Sequence, residues 1–179
     1  MLEITIPESE LWDDNTETFS TIKGKTILLE HSLLSISKWE MKWHKPYLSD
    51  DAKTYSEQLD YVRCMTITKD VNPLCYSFIT NDNWIMINDY INDSMTAYYL
   101  SKEKVSKSLE VPTSDIIYYW MIAYNIPLEC EKWHLNRLLT LIRICDKNNR
   151  PEEKHSNEEI LRRNSELNEQ RKRKYNTKG

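Results

Sequence analysis

Apolar residues recur along this chain at two spacings. Alternation of apolar and polar residues is confined to the N-terminal part. Leu2–Ile6 alternates apolar and polar residues until Pro7 ends the run, which predicts a short strand. Residues 17–31 continue as two β-prone arms around Gly24, which predicts a hairpin with the glycine in its turn. Residues 1–31 are therefore expected to form a β-ribbon.

From residue 32 onward the spacing becomes three or four residues, which is typical of helices. Ser32 is the expected N-cap of a first helix that ends before Pro46, and its apolar face comprises Leu33, Ile36, Trp39 and Trp43. Thr54 and Glu57 fit a capping box for a second helix. The expected apolar face of that helix comprises Tyr55, Leu59, Val62 and Thr66.

Shorter elements are expected in the middle of the chain. Residues 73–79 and 81–91 favour two helical pieces, the second with Trp84, Ile87 and Ile91 on one side. The sequence MTAYYL at residues 95–100 is a candidate strand that would pair with the ribbon. The polar residues 102–112 are expected to form an excursion or a hairpin arm.

The densest apolar passage covers residues 116–145. Residues 115–124 are apolar almost all round, which predicts a central core helix. The break at residues 125–127 ends it, and a second helix is expected over Pro127–Cys145, with Pro127 in its first turn. The expected apolar sector of this second helix comprises Leu128, Leu135, Leu138, Leu139 and Ile142.

The last segment is helix-prone but has too few apolar residues to dock firmly. Ser156 and Glu159 form another capping box. The overall expectation is an α+β, mainly helical fold, with an N-terminal β-ribbon packed on a helical core and an extended helical arm. The globular domain would cover residues 1–149, with its core at 32–149, and the charged arm would cover residues 150–179.

Composition narrows the range of functions. Hydrophobic residues make up 40% of the chain, which is enough for a core, whereas glycine occurs only twice. Phosphate-binding loops and dinucleotide fingerprints need several glycines, so the common kinds of nucleotide-dependent chemistry are excluded. The longest apolar runs fall short of eighteen residues, which predicts that no segment spans a membrane.

Charge is distributed unevenly along the chain. Residues 150–179 contain nine Lys and Arg against six Glu, which gives this segment a charge of +3. Because the net charge of the chain is −4, residues 1–149 carry a charge of −7. The four cysteines form no CxxC pair, and the N-terminus does not resemble a signal peptide, so we expect reduced thiols in a cytosol.

Cys130 and His134 are the sharpest candidates for chemistry. Their i, i+4 spacing on one helix would let both side chains reach a zinc ion. Cys145 lies roughly four turns, about 22 Å, further along such a helix, so other ligands would have to come from elsewhere in the fold. A thiolate enzyme is disfavoured because nothing nearby supplies oxyanion donors. The favoured interpretation is therefore no metal and no cofactor, with both residues in the core or at its boundary.

Interaction surfaces are the favoured alternative to a reaction centre. Trp43, Trp133 and Arg137 are candidate interface anchors, because Trp and Arg are frequent in binding hot spots. In the arm, the candidate partner-binding residues are Ile160, Leu161, Leu167, Arg171, Lys172, Arg173 and Lys174. Residues 171–178 could contact nucleic acid only non-specifically, since Tyr175 alone could stack on bases.

Four stretches carry a family resemblance: HSLLSISKWEMKWHKPYL, DYVRCMTI, TSDIIYYWMIAYNIPLECEKWHLNRLLTLIRIC and LNEQRKRKYNTKG. From Ile22 onward the chain resembles a family of small tailed-bacteriophage proteins, which are named as tail assembly chaperones and tail-morphogenesis proteins from gene position. The resemblance implies a phage protein in the cytoplasm of its bacterial host. It implies no catalytic residues.

The resemblance implies a non-enzymatic tail-morphogenesis protein, and the favoured role is that of a tail assembly chaperone that binds tape-measure or tail-tube protein. One alternative is a virion structural protein of the neck, tail or capsid, which would clamp neighbouring subunits with its arm. A zinc or thiol enzyme built on Cys130 and His134 is the least favoured alternative. Self-association into a homo-oligomer is a further expectation.

Overall fold

A computed structural model of the protein describes residues 1–13, 17–98, 111–149 and 157–175, with side chains for all of these except residues 13 and 157–160. The chain divides into two compact units, Met1–Asp146 and Lys147–Gly179. Strands occupy the beginning of the first unit and helices follow them. The predicted α+β, mainly helical class is confirmed.

The N-terminal ribbon consists of two antiparallel strand pairs, one nested inside the other. Its strands are β1 (Leu2–Ile6), β2 (Ser9–Asp13), β3 (Thr18–Ile22) and β4 (Lys25–Leu29). β1 pairs with β4, and β2 pairs with β3. The predicted strand at residues 2–6 is confirmed. The predicted hairpin around Gly24 is wrong, because the strands on either side of this glycine pair with different partners.

Gly24 lies where the two strand pairs meet, and its φ is not positive. A Cβ at this position would lie 2.7 Å from the backbone nitrogen of Glu8 and 2.9 Å from the carbonyl oxygen of Ile6. Both neighbours are backbone atoms, which cannot move aside as a flexible side chain can. The glycine is therefore required for the close approach of two chain segments rather than for a turn.

Four of the five α-helices described in the first unit begin at or next to the residue that the sequence predicts, and the last is the exception. The five helices are α1 (Leu33–Trp43), α2 (Tyr55–Met65), α3 (Asn81–Asn92), α4 (Ser114–Ala123) and α5 (Leu135–Asn149), and residues Pro73–Phe78 form a 3-10 helix. Ser32 caps α1 by accepting a hydrogen bond from the backbone N–H of Ser35. Thr54 and Glu57 form the predicted capping box of α2.

The buried face of α2 differs from the predicted one. Tyr55 is 58% exposed, whereas Glu57 and Asp60 are buried beside Tyr61, Val62 and Met65. Burial of the two carboxylates is possible because cations of α1 and its C-terminal loop reach them. Lys42 and Lys45 lie 2.5 Å and 2.7 Å from Asp60 and Glu57, respectively. The hydrophobic pattern missed this face because its polar members are paired across helices.

The predicted helix from Pro127 to Cys145 is also wrong. Residues Leu128–Lys132 form a 3-10 helix, and α5 begins only at Leu135. The chain between them forms a bridge, in which His134 pairs with Ser32 and the Leu135 N–H donates to the His31 carbonyl at 2.9 Å. Leu128, expected in an apolar sector, is consequently 56% exposed.

The core of the first unit lies between β1, β4 and the helices. It includes Ile4, Ile27, Leu29, Leu33, Ile36, Trp39, Met65, Ile117, Met121, Leu135 and Leu138, each at most 2% exposed. The predicted strand at residues 95–100 is wrong where it can be tested, since residues 95–98 belong to no strand. Its last two residues, like residues 102–110 of the polar excursion, lie outside the described residues.

The second unit contains one described helix, α6 (Asn157–Tyr175). Two i, i+4 ion pairs lie along it, Arg162–Glu166 at 3.5 Å and Glu169–Arg173 at 3.9 Å. Such exposed pairs stabilise a helix by only a few tenths of a kcal/mol, about 0.3–0.5. The predicted capping box begins at Ser156, which lies outside the described residues.

Candidate protein-interaction surfaces

Cys130 and His134 do not share a helix, because the 3-10 helix carrying Cys130 ends before His134. The predicted i, i+4 geometry is therefore wrong. Cys130 is buried at 6% exposure. Among the residues that the structure describes, no three His, Cys, Asp or Glu side chains are grouped so that they could hold a metal ion.

His134 instead belongs to a pair of imidazoles that sequence reasoning missed. Its ring lies 5.0 Å from the ring of His31, centroid to centroid. His134 Nε2 donates to the carbonyl oxygen of Tyr90 at 2.9 Å, and His31 Nδ1 lies 2.5 Å from the hydroxyl of Tyr61. His134 Nδ1 is buried without a hydrogen-bond partner in the described parts of the chain.

The imidazole pair is held in its neutral form. Burial, and secondly the neighbouring His134, lower the pKa of His31 to about 3. Burial also lowers the pKa of His134 from its usual value. Tyr47 stacks on Tyr61 at 3.9 Å between ring centroids, and burial raises the pKa of both phenols. The cluster therefore links the β4–α1 connection and the residue before α5 to α2 and α3 by neutral hydrogen bonds and ring contacts.

Cys64 has the character of a thiol rather than a thiolate. All four cysteines are unpaired, and Cys75 and Cys130 are buried. Burial, with a smaller contribution from Asp60, raises the pKa of Cys64 to about 11. A thiol with a raised pKa is a poor nucleophile at neutral pH, because the thiolate is the reactive form.

A recess of about 350 Å³ between α2 and α3 is the second feature that the sequence did not indicate. It is lined by Tyr47, Lys53, Gln58, Tyr61, Val62, Trp84, Ile87, Asn88, Ile91 and Asn92. The Lys53 ammonium lies 4.8 Å from the centre of the Tyr47 ring and so partly closes the recess. Tyr61, buried against His31, forms part of its wall.

A second recess, of about 390 Å³, lies between the end of α1 and the start of α4, and Met41, His44, Lys45 and Asp115 are among its lining residues. Glu40 closes one side of it by joining the two helices. Its carboxylate accepts hydrogen bonds from the Tyr47 N–H at 2.8 Å, the Ser114 N–H at 2.8 Å and the Ser114 hydroxyl at 2.6 Å. Both oxygens are thus already engaged, and the carboxylate serves to position α4.

Trp43, a predicted interface anchor, makes most of its contacts inside the first unit. Its indole N–H donates to Asp60 Oδ2 at 2.9 Å, and its ring stacks on Trp39 with centroids 6.1 Å apart. The side chain is partly buried against the core. Trp43 therefore contributes to the contact between α1 and α2, which leaves only its outer edge for a partner.

Trp133 and Arg137 are brought together by the turn into α5. The Arg137 guanidinium lies 4.2 Å from the centre of the Trp133 ring. Arg137 is exposed, whereas Trp133 is partly buried. A guanidinium stacked on an indole keeps its outward N–H groups available, so this pair could pin a carboxylate on another protein.

Helix α4 presents an exposed apolar surface. Ile117 and Met121 are fully buried, but Tyr119 and Ile122 on the opposite face are 67% and 66% exposed. The prediction of a helix covered on all sides is therefore wrong for this face. On α1, Met41 is 74% exposed and lines the recess at the start of α4.

The β2–β3 hairpin carries a second exposed apolar surface, which sequence reasoning missed. Trp12 and Phe19 are cross-strand partners in edge-to-face contact, 4.9 Å apart and 46% and 66% exposed. Leu11 is 37% exposed on the other face of the same ribbon. The two alternating runs on either side of a polar segment at residues 13–17 were the signal that could have indicated this hairpin.

The helical arm exposes every side chain described in it. Leu161 and Leu167 are 68% and 42% exposed, and the side chains of Arg171, Lys172, Arg173 and Lys174 are also exposed. The Ile160 side chain and residues 176–179 lie outside the described residues. The arm residues named from the sequence thus offer apolar and cationic groups to solvent.

No helix of the described residues is both long and apolar enough to cross a membrane. A comparison of the chain with protein-family models, with curated proteins and with solved structures found no match. The features that bear on function are the exposed apolar surfaces on α4, on the β2–β3 hairpin and on α6.

Proposed function

We propose that this protein is a non-enzymatic bacteriophage tail-morphogenesis protein, acting as a tail assembly chaperone that binds tape-measure or tail-tube protein in the host cytoplasm. The observation that carries the proposal is the uncovered face of α4. A helix that is apolar all round is normally buried. Tyr119 and Ile122 nevertheless lie two-thirds exposed, so a partner that covered them would remove apolar area from water.

The resemblance to the phage family supplies the identity of the partner, and the geometry is compatible with it. An elongated helical protein could lay an apolar stripe against α4, in the way that amphipathic helices dock on exposed grooves. The lowered pKa values of His31 and His134 make both imidazoles weak bases, and the raised pKa of Cys64 makes it a poor nucleophile, which favours a binding role over a catalytic one. Self-association through the same face is a competing use, and the experiment below separates the two.

The test is co-expression of the protein with the tape-measure and tail-tube proteins of its own genome, followed by affinity purification. A Tyr119→Glu/Ile122→Glu variant should lose the complex, because two buried charges would be placed at its centre. An Ile85→Glu/Met86→Glu variant is the matched control, since these α3 residues are 59% and 44% exposed. Sedimentation of the protein alone, at several concentrations, measures self-association.

Two results would contradict the proposal. One is co-purification that persists in the α4 variant while the variant remains folded. The other is the presence of stoichiometric copies in mature particles, because a chaperone leaves before the tail is complete. Mass spectrometry of purified virions measures this directly.

A virion structural role is the second candidate, and the exposed helix α6 favours it. A 19-residue helix with every described side chain in solvent is suited to clamping a neighbouring subunit. Deleting residues 150–179 should then leave a folded first unit but incomplete particles. Unchanged particle assembly by the truncated protein would contradict this candidate.

A further inference from the structure

We infer that the β2–β3 hairpin is a docking surface for an arginine-rich segment of a protein partner. The inference rests on the proposed function and narrows it, because it states the chemistry that the partner must present. The hairpin is a second surface in addition to the uncovered face of α4, and its residues are not among those named above for the chaperone contact.

The register of the hairpin determines which side chains lie on the same face. Trp12 pairs with Phe19, and Glu10 pairs with Thr21. Because side chains alternate along a strand, these four residues share one face. All four are exposed, so one carboxylate and two aromatic rings lie side by side on an open surface.

The charged residues in the hairpin sequence have one sign. Residues 8–22 contain five carboxylates, on Glu8, Glu10, Asp13, Asp14 and Glu17, and they contain no Lys or Arg. An edge-to-face pair of rings can stabilise a hairpin without any ligand. Here, however, the described charged side chains of the same stretch, Glu8, Glu10 and Glu17, are all exposed carboxylates, so the open faces of the rings attract cations from outside.

Arginine fits this face better than other cations. A guanidinium can stack on the Trp12 indole and at the same time donate hydrogen bonds to the Glu10 carboxylate, because it is planar and presents several N–H groups. A lysine ammonium is more strongly hydrated and lacks the planar face. Nucleic acid and anionic lipid surfaces would be repelled by the same carboxylates.

The test is a titration of the full-length, isotope-labelled protein with a hexa-arginine peptide, followed by NMR. We expect shifts concentrated on the Trp12 indole N–H and on the amides of β2 and β3. A hexa-lysine peptide should bind more weakly, and hexa-glutamate and oligothymidylate should not bind. Added salt should weaken the arginine complex, because its ion pairs are exposed.

Two charge reversals distinguish a specific face from general attraction to an acidic protein. Glu10→Lys should weaken hexa-arginine binding about tenfold, since it removes one ion pair and adds a repulsion. Glu3→Lys is the matched control, because Glu3 is an exposed residue in the neighbouring strand β1 and the change in net charge is identical. It should alter the affinity less than about twofold.

Trp12→Ala tests the stacking contribution and should also weaken binding about tenfold. Since loss of Trp12 could open the hairpin, Glu10→Lys, which keeps both rings, remains decisive. Shifts spread evenly over the acidic surface, or equal losses in Glu10→Lys and Glu3→Lys, would overturn the inference. Binding of oligothymidylate at the hairpin would do so too.

The outcomes for the two proposals can be separated. Glu10→Lys could abolish hexa-arginine binding but leave co-purification with the tail proteins intact. The hairpin would then bind arginine-rich segments but would not be the binding site of the tail proteins. If hexa-arginine fails to bind while the α4 variant still loses its partner, this inference is overturned and the proposed function stands.

Discussion

The two halves of the N-terminal ribbon have equal strand lengths and the same antiparallel pairing, yet their surroundings differ completely. In the β1–β4 half, Ile4, Ile6, Ile27 and Leu29 are at most 2% exposed, because helices cover that face. Among the side chains described in the β2–β3 half, Ile22 alone is buried, and the aromatic pair is exposed to solvent. Strand pairing is therefore common to both halves, whereas stabilisation by apolar burial belongs to one of them.

The largest expected effect comes from truncating a buried side chain in the β1–β4 half. Ile27→Ala should lower the free energy of unfolding by about 2–5 kcal/mol, because it removes a fully buried side chain and leaves a cavity. Leu28→Ala, in the same strand but 37% exposed, should cost less than about 1 kcal/mol. Urea denaturation followed by circular dichroism measures both. Equal losses of unfolding free energy in the two variants would mean that burial of Ile27 is not what stabilises β4.

Acid should weaken the covered half through His31, which directly follows Glu30 at the end of β4. The unfolded imidazole takes up a proton near pH 6.5, whereas the folded one does so only near pH 3. Between these values the unfolded state binds more protons, so stability falls as the pH falls. The loss from pH 6.5 to 4 should be on the order of 3 kcal/mol.

Carboxylates also titrate in this range, so the informative quantity is a difference between variants. His31→Gln should flatten the dependence of unfolding free energy on pH, measured by urea denaturation at several pH values. The control variant His44→Gln removes an exposed histidine at the C-cap of α1 and keeps His31. If the unfolding free energy of His31→Gln depended on pH as strongly as that of the wild type, the acid sensitivity could not be assigned to His31.

The junction between the halves should be the next most sensitive point. Gly24→Ala should cost about 1–3 kcal/mol, because the new Cβ would lie within 3 Å of two backbone atoms and would force the strands apart. Ser20→Ala, at an exposed site in β3, should change stability by less than about 0.5 kcal/mol. Thermal unfolding compares the two, and a neutral Gly24→Ala would argue against the close approach.

The smallest effect is expected in the uncovered half. Phe19→Ala should lower global stability by less than about 1 kcal/mol, because the ring is 66% exposed and loses mainly its contact with Trp12. Its consequence should be local, as faster hydrogen exchange of β2 and β3 amides with unchanged exchange in β1 and β4. Faster exchange throughout all four strands would mean that the halves unfold together.

Features encoded by neighbouring residues were predictable from the sequence. The caps at Ser32 and at Thr54 with Glu57 were found because a cap depends on residues three positions apart. Strand partners were not found, because Pro7 and Gly24 mark interruptions without indicating which arms pair. The outer β1–β4 pairing depends on residues 19 to 27 positions apart, from Ile6 with Lys25 to Leu2 with Leu29.

The candidate surfaces were predictable only in part, for the same reason. The apolar character of α4 was evident, but which face is covered depends on where α1 and the 3-10 helix at residues 128–132 lie. The supposed Cys130–His134 helix failed because a bridge from Ser32 interrupts it. The Trp12 and Phe19 pair was missed because alternation over five residues, next to five carboxylates, is easily taken for a polar loop.

The nested pairing also has a kinetic consequence. Joining Ile6 to Lys25 directly would require closure of the whole loop from residue 7 to residue 24, whereas prior zipping of β2 with β3 shortens that loop to its two short connections. Loop-closure entropy is thus reduced before the first long-range contact forms. The solvent-exposed hairpin, although nearly dispensable for equilibrium stability, would then act as an early nucleus that sets how fast the N-terminus is recruited.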